Sequence, residues 1–115
     1  MTYSHKRWVE LVKKTQLEIE RLATLKGGEY SGDFDRLANF RRNAAVLGLQ
    51  METVWAVYAA KHWDAIMQYV QDMRYGKQRT RSEPIAGRLD DLIVYAILMK
   101  AMIEERETPE SDDDL

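Results

Sequence analysis

A small all-α domain is what this sequence predicts: an antiparallel helical bundle of about four helices. Three observations carry that reading. Apolar residues recur at three- and four-residue spacing in four separate segments. Glycine and proline punctuate the ends of those segments. No segment alternates apolar and polar side chains as a half-buried strand does.

The first helix is predicted from about Ser4 to Leu25, where Trp8, Leu11, Val12, Thr15, Ile19 and Leu22 make one apolar face. Gly27 and Gly28 end it, and Lys26 to Gly32 is a loop. The second helix spans about Phe34 to Leu47, with Asp33 as its cap and Leu37, Phe40, Ala44 and Leu47 facing inward. Gly48 stops it. The third runs from about Met51 to Tyr75 and opens with an apolar run, Val54 to Ala60, that places it at the centre of the fold. Gly76 closes it, and a basic loop, Lys77 to Ser82, follows. The fourth begins near Pro84, a residue suited to a first helical turn, and runs to about Arg106. Its wide apolar arc, from Leu89 to Ile103, predicts a homo-oligomer.

Composition narrows the function. A chain of 115 residues fits one domain, here residues 1–106, followed by an acidic tail, 107–115, expected to be a disordered, solubilising terminus. The net charge of −2 gives no electrostatic case for nucleic acid. With no cysteine, thiolate catalysis and cysteine-ligated metals are excluded, and two histidines, His5 and His62, make a histidine-rich metal site a poor fit. Residues 1–7 lack an apolar signal core, and no apolar run approaches the ~20 residues that span a bilayer, so the expectation is a cytoplasmic protein without a membrane partner. The stretch from Arg74 to Arg88 is basic, with Lys77, Arg79 and Arg81 between them and Glu83 as the one acid.

Several polar groups fall in register. Asp35, Asn39 and Asn43 are four apart and share a face of the second helix, flanked by Arg36 and Arg42; they form either a solvated face or a ligand surface. Lys61 and Asp64 interrupt the most apolar helix, which requires partners on a neighbouring helix or a cavity. His62 lies on the apolar stripe and reads as a satisfied core residue. Asp90 and Asp91 open the fourth helix, and Asp91 shares a face with Tyr95; such an aspartate suits either magnesium or a surface salt bridge. No phosphate-cradling glycine loop is present, and no Ser-His-Asp grouping can be assigned from spacing.

Taken in order, Lys26-x-x-Glu29-Tyr30, Asp35-Arg36-Leu37-Ala38-Asn39-Phe40, Lys61-His62-Trp63-Asp64-Ala65-Ile66 and Leu89-Asp90-Asp91-Leu92-Ile93-Val94-Tyr95-Ala96 resemble a family. It comprises small phage-encoded proteins of the nucleotide-modification-associated type, distant relatives of the MazG-like all-α nucleotide pyrophosphohydrolases. The resemblance spans about Lys26 to Glu105. It implies a MazG-like bundle that holds a nucleotide between helices, with magnesium on carboxylates of two helices positioning a water for attack.

Carried across, Asp91 matches the last aspartate of that pattern, but Arg88 stands where its partner glutamate belongs. Gly87 takes a position that is acidic in the closer phage relatives, and the third helix offers Lys61 and Asp64 in place of a Glu-x-x-Glu pair. Asp64 and Asp91 are then the metal candidates, with Asp35 and Asp90 as further ligands under the enzyme reading. So thinned a set favours direct contact of cations with phosphate. Arg36, Arg42, Lys61 and Arg88, with Asn39 and the rings of Tyr30, Trp63 and Tyr95, are the expected ligand-binding residues. The first expectation is a binding protein for a nucleotide or cyclic nucleotide signal, a phage sponge acting against host defence in the cytoplasm of the infected bacterium. The alternatives are a magnesium-dependent nucleotide pyrophosphohydrolase and an interaction protein that meets partners through its basic loop and acidic tail.

Overall fold

The computed structural model describes residues 1–26 and 35–108, and all regular structure among them is helical. Helix α1 spans His5–Arg21 and widens into a π-helical turn, Leu22–Lys26; α2 is Ala38–Leu47, α3 Met51–Arg74 and α4 Ile85–Glu107. The four helices pack together as a small all-α bundle. Among the described residues no helix is long and apolar enough to cross a membrane. Tyr30, Asp33, Phe34 and the tail from Pro109 onward, all invoked by the sequence reading, lie outside the described residues.

The helix ends follow local chemistry. Ser4 caps α1, its side chain accepting from the Arg7 N–H at 3.2 Å. Gly48 ends α2 in the left-handed region at φ 66°, and its N–H closes on the Ala44 carbonyl. Gly76 does the same after α3 at φ 64°, where the Lys77 N–H reaches the Asp72 carbonyl at 2.8 Å. Pro84 stands one residue before α4, and its carbonyl accepts from the Gly87 and Arg88 N–H groups.

Helix α2 begins later than its apolar spacing predicts. Asp35 lies in the turn before it, where its carboxylate accepts from the Leu37 N–H at 2.9 Å and pairs with Arg41 at 2.8 Å. Asp35 is thus drawn off the Asn39–Asn43 face by the orphan N–H groups of the helix start. Arg41 also binds Glu105, which ties the start of α2 to the end of α4. At the neighbouring corner Arg106 pairs with Glu52 at 2.6 Å, joining α4 to the first turn of α3.

The core sits where α2, α3 and α4 meet. Leu37, Phe40, Ala44, Met51, Val54 and Met102 form one buried cluster, and Trp55, Tyr95, Leu98 and Met99 pack against it. Helix α3 runs antiparallel to α4, which places Trp55 against Tyr95 and His62 against Arg88.

Two expectations need revision. The basic loop is not a free cationic surface. Asp72, buried at 3% exposure, accepts from Arg79 at 2.7 Å, from Arg81 at 2.7 Å and from Gln68 at 3.1 Å, and the Arg81 guanidinium lies over the Tyr69 ring. Those contacts, the Arg79 hydrogen bond foremost, hold the Asp72 carboxyl below its ordinary range. A buried charge without partners is costly, and the loop's arginines supply them. Nor is α3 enclosed on all sides. Val54 and Ala59 are buried, but Val57 is 64% exposed and Trp63 53%. Among the described residues, α1 packs on α4 and on no other of the four helices, and it buries no residue.

Candidate ligand-binding site

A row of polar and aromatic side chains crosses α2, α3 and α4 beside the core. It starts on α2, where Asn39 and Asn43 lie one turn apart. The Asn43 amide donates to Asn39 Oδ1 at 3.2 Å and to the Tyr58 hydroxyl of α3 at 3.2 Å, and Arg42 donates to the same Asn39 oxygen at 3.3 Å. The buried Phe40 ring carries the row onward, meeting Tyr58 edge-on with centroids 6.0 Å apart and Tyr95 with centroids 6.4 Å apart. Tyr95 then lies 5.3 Å from the His62 ring. His62 Nδ1 faces two groups of α4, Arg88 Nη1 at 3.2 Å and Asp91 Oδ2 at 3.5 Å. Glu83, in the loop before α4, approaches Arg88 Nε at 3.4 Å.

Helical spacing brings these groups together. Tyr58 and His62 are four apart on α3, and Arg88, Asp91 and Tyr95 are three and four apart on α4, so each set projects from one face. The antiparallel pairing sets the two faces against each other. Trp55 fixes the register, donating its indole N–H to the Tyr95 carbonyl at 2.7 Å.

The electrostatics follow from partial burial. Burial holds the His62 imidazole below its ordinary 6.5; Asp91 opposes that effect, and Arg88 and Lys61 add to it. At neutral pH the ring is uncharged, and Nδ1 accepts from Arg88. Burial, with Asp91 and Tyr58 nearby, raises the Tyr95 phenol, which therefore stays protonated. The row thus offers phenols, carboxamides, a neutral imidazole and two guanidiniums around a single half-buried carboxylate, Asp91.

Of the residues expected from sequence, Asn39, Arg42, Arg88, Asp91 and Tyr95 belong to this row. Arg36 is half-buried in the turn before α2. Lys61 and Asp64 are both exposed on α3, so they need neither a buried partner nor a cavity. Asp64 follows His62 by two residues, about 200° around the helix, and points away from Asp91. Asp90 lies about 100° around α4 from Asp91, towards α1, where it senses Lys14 and Glu18; burial, with the Glu18 and Asp91 charges, raises its pKa. Among the described residues no three His, Asp or Glu side chains gather into a metal-binding group.

Sequence reasoning passed over Tyr58 and Glu83 as site residues, placed Asn43 on the polar face of the second helix without making it a ligand-binding residue, and read His62 as core. The available signal was the Tyr58–His62 spacing, matched by Arg88–Asp91–Tyr95 on the next helix. Comparison with family models, with curated proteins and with solved structures finds no match for this chain. The described architecture defines it as a small all-α bundle.

Proposed function

We propose that this protein binds a nucleotide, or a signal derived from one, along the row from Asn39 to Arg88 and holds it without hydrolysis. The carrying observation is the convergence of Asn39, Asn43, Tyr58, Tyr95, His62 and Arg88 from three helices. Rings able to stack on a base lie beside amide donors and acceptors that can read its edge, and guanidiniums stand at both ends for phosphate. Tyr58 and Arg42 are exposed, so the row opens to solvent at its α2 end.

Sequestration accounts for the site better than turnover. Magnesium in phosphoryl chemistry is held by several carboxylates and bridges phosphate oxygens. The row contains two carboxylates, both engaged: Asp91 faces His62 one turn from Arg88, and Glu83 approaches Arg88.

A thermal-shift screen of nucleoside mono-, di- and triphosphates and cyclic dinucleotides, with and without magnesium, tests the reading. A ligand that binds only the folded chain stabilises it by about 2.7 kcal/mol at a hundredfold excess over Kd. The expected result is a shift with one nucleotide class that persists in chelator. Tyr58→Phe, which removes only the hydroxyl that Asn43 donates to, and Arg42→Ala should each weaken that ligand about tenfold while leaving the unliganded melting temperature within a degree or two. Magnesium-dependent release of pyrophosphate would transfer the assignment to a pyrophosphohydrolase. A flat screen sinks the nucleotide reading.

A further inference from the structure

Helix α1 stands largely clear of the bundle. From His5 to Lys14 every residue except Val9 is exposed. At 100° per residue, Trp8, Leu11, Val12, Thr15 and Ile19 fall within about 100° of the helix circumference. Trp8 is 56% exposed, Leu11 46% and Val12 36%. Beside them an open groove of about 550 Å³ against α4 adds Ile93 and Ile97 to the same apolar surface.

The other side of that stretch is basic. Lys6, Arg7, Lys13 and Lys14 fall within about 120° of arc, away from the apolar side chains. Glu10 is the one acid between His5 and Lys14. The chain as a whole carries −2, so this stretch reverses the sign of the rest.

A surface that covers such a helix must be apolar to a shallow depth and anionic above that depth. An anionic lipid surface has this layering. Its headgroup phosphates meet lysine and arginine, and the acyl boundary a few ångströms below takes tryptophan, leucine and valine. Tryptophan suits that boundary, since its ring is apolar and its N–H polar.

We infer that α1 lies in the plane of an anionic lipid surface, with Trp8, Leu11 and Val12 at the acyl boundary, and holds the bundle against it. The expectation of a chain without a membrane partner rested on span length. No described helix can cross a membrane, but that criterion does not apply to a helix lying in the interface. The rest of the chain is net acidic, so the attraction is confined to α1 and fixes which way the bundle faces. Helix α1 contributes no residue to the Asn39–Arg88 row, so this inference stands independently of any ligand.

Co-sedimentation of the full chain with vesicles tests it, phosphatidylglycerol and phosphatidylcholine in equal parts against phosphatidylcholine alone. Partition onto the anionic vesicles should exceed that onto the neutral ones by about tenfold or more, and should fall as salt rises. Leu11→Gln and Leu17→Gln make the same change on different sides of α1. Leu11, on the apolar arc, should lower the partition about tenfold when replaced; Leu17, 69% exposed on the charged side, should leave it within about twofold. Lys6→Gln combined with Lys13→Gln should lower it about fivefold. Circular dichroism checks that each variant stays helical. Equal partition onto both vesicles overturns the inference. Partition onto neither also overturns it and leaves the face to a protein partner. So does a Leu11→Gln variant that partitions like the wild type, since the cations alone would then suffice.

Lipid brominated in its acyl chains gives a second readout. It should quench the tryptophan emission of the wild type, and Trp8→Phe should remove most of that quenching. Quenching retained in Trp8→Phe would place Trp63, 53% exposed on α3, in the lipid instead and overturns the inference.

Discussion

Met102 and Ile97 lie five residues apart on one helix and meet opposite fates. Met102, on the side of α4 that faces α2 and α3, is 0% exposed; Ile97, on the side that faces α1, is 44% exposed. The first side is knit by side-chain contacts of several kinds: the Phe40 edge contacts, the Trp55–Tyr95 hydrogen bond and the Arg41 and Arg106 ion pairs. The second has apolar side chains in regular rows and an open groove. Apolar patterning alone therefore does not report what a single chain buries. The two sides of α4 carry similar apolar patterns and differ in what covers them.

The largest expected effect tests this contrast directly. Met102→Ala should cost about 2–5 kcal/mol, through lost burial and the cavity left behind. Ile97→Ala should cost under ~1 kcal/mol, because alanine's better helix propensity offsets part of the lost contact. Urea unfolding of both variants decides the matter. Equal losses would mean that the α1 side is packed as firmly as the α2 side, and the comparison would fail.

A smaller effect belongs to the turn that sets α2 on the closed side. Gly48 sits at φ 66° with open space around the position a Cβ would take. Gly48→Ala should therefore cost only the left-handed backbone penalty, about 1–2 kcal/mol, with no steric term. A loss well above that would reveal a packing role the geometry does not contain. Trp55→Phe keeps a ring on the core and removes the donor to the Tyr95 carbonyl, so it should cost about 1 kcal/mol. It should also shift the Tyr95 ring environment in near-ultraviolet circular dichroism.

The closed side was the more legible in the sequence. Gly48, Gly76 and Pro84 marked helix ends to within a residue or so, because each acts through backbone chemistry that is local. The inner positions Leu37, Phe40 and Ala44 and the Trp55–Ile66 stripe followed from spacing alone, but Leu47, expected on the same inner face, is 63% exposed at the end of α2. The start of α2 did not, because the carboxylate of Asp35 can cap as well as extend a polar stripe, and its pairing with Arg41 and Glu105 is tertiary. The polar and aromatic row was half legible. Asn39, Arg42, Arg88, Asp91 and Tyr95 follow from resemblance and register, whereas Tyr58 and His62 look like core until the antiparallel partner is in place. The knot at Asp72 was illegible for the same reason: its arginines lie seven and nine residues further along the chain, in a loop with no periodicity.

The smallest effects carry the comparison into titration, through groups that face its two sides. His62, on the closed side, has its pKa lowered from 6.5 by burial, with Arg88 and Lys61 adding and Asp91 opposing. Between that lowered value and 6.5 the unfolded chain binds more protons than the folded one, so stability falls as pH drops through the window and levels off below it. Asp90, on the α1 side, has its pKa raised above 3.8 by burial, with Glu18 and Asp91 adding. Here the folded chain binds the proton more tightly, so stability falls as pH rises from 3.8 through the folded value, and the full cost is present at pH 7. Unfolding free energies between pH 4 and 8 should show His62→Gln removing the decline below 6.5. Asp90→Asn should add a small stabilisation at pH 7 that vanishes towards pH 4. A destabilised Asp90→Asn at pH 7 would mean that attraction to Lys14 outweighs burial and the Glu18 charge, and that α1 is held to α4 by charge as well as by its apolar groove.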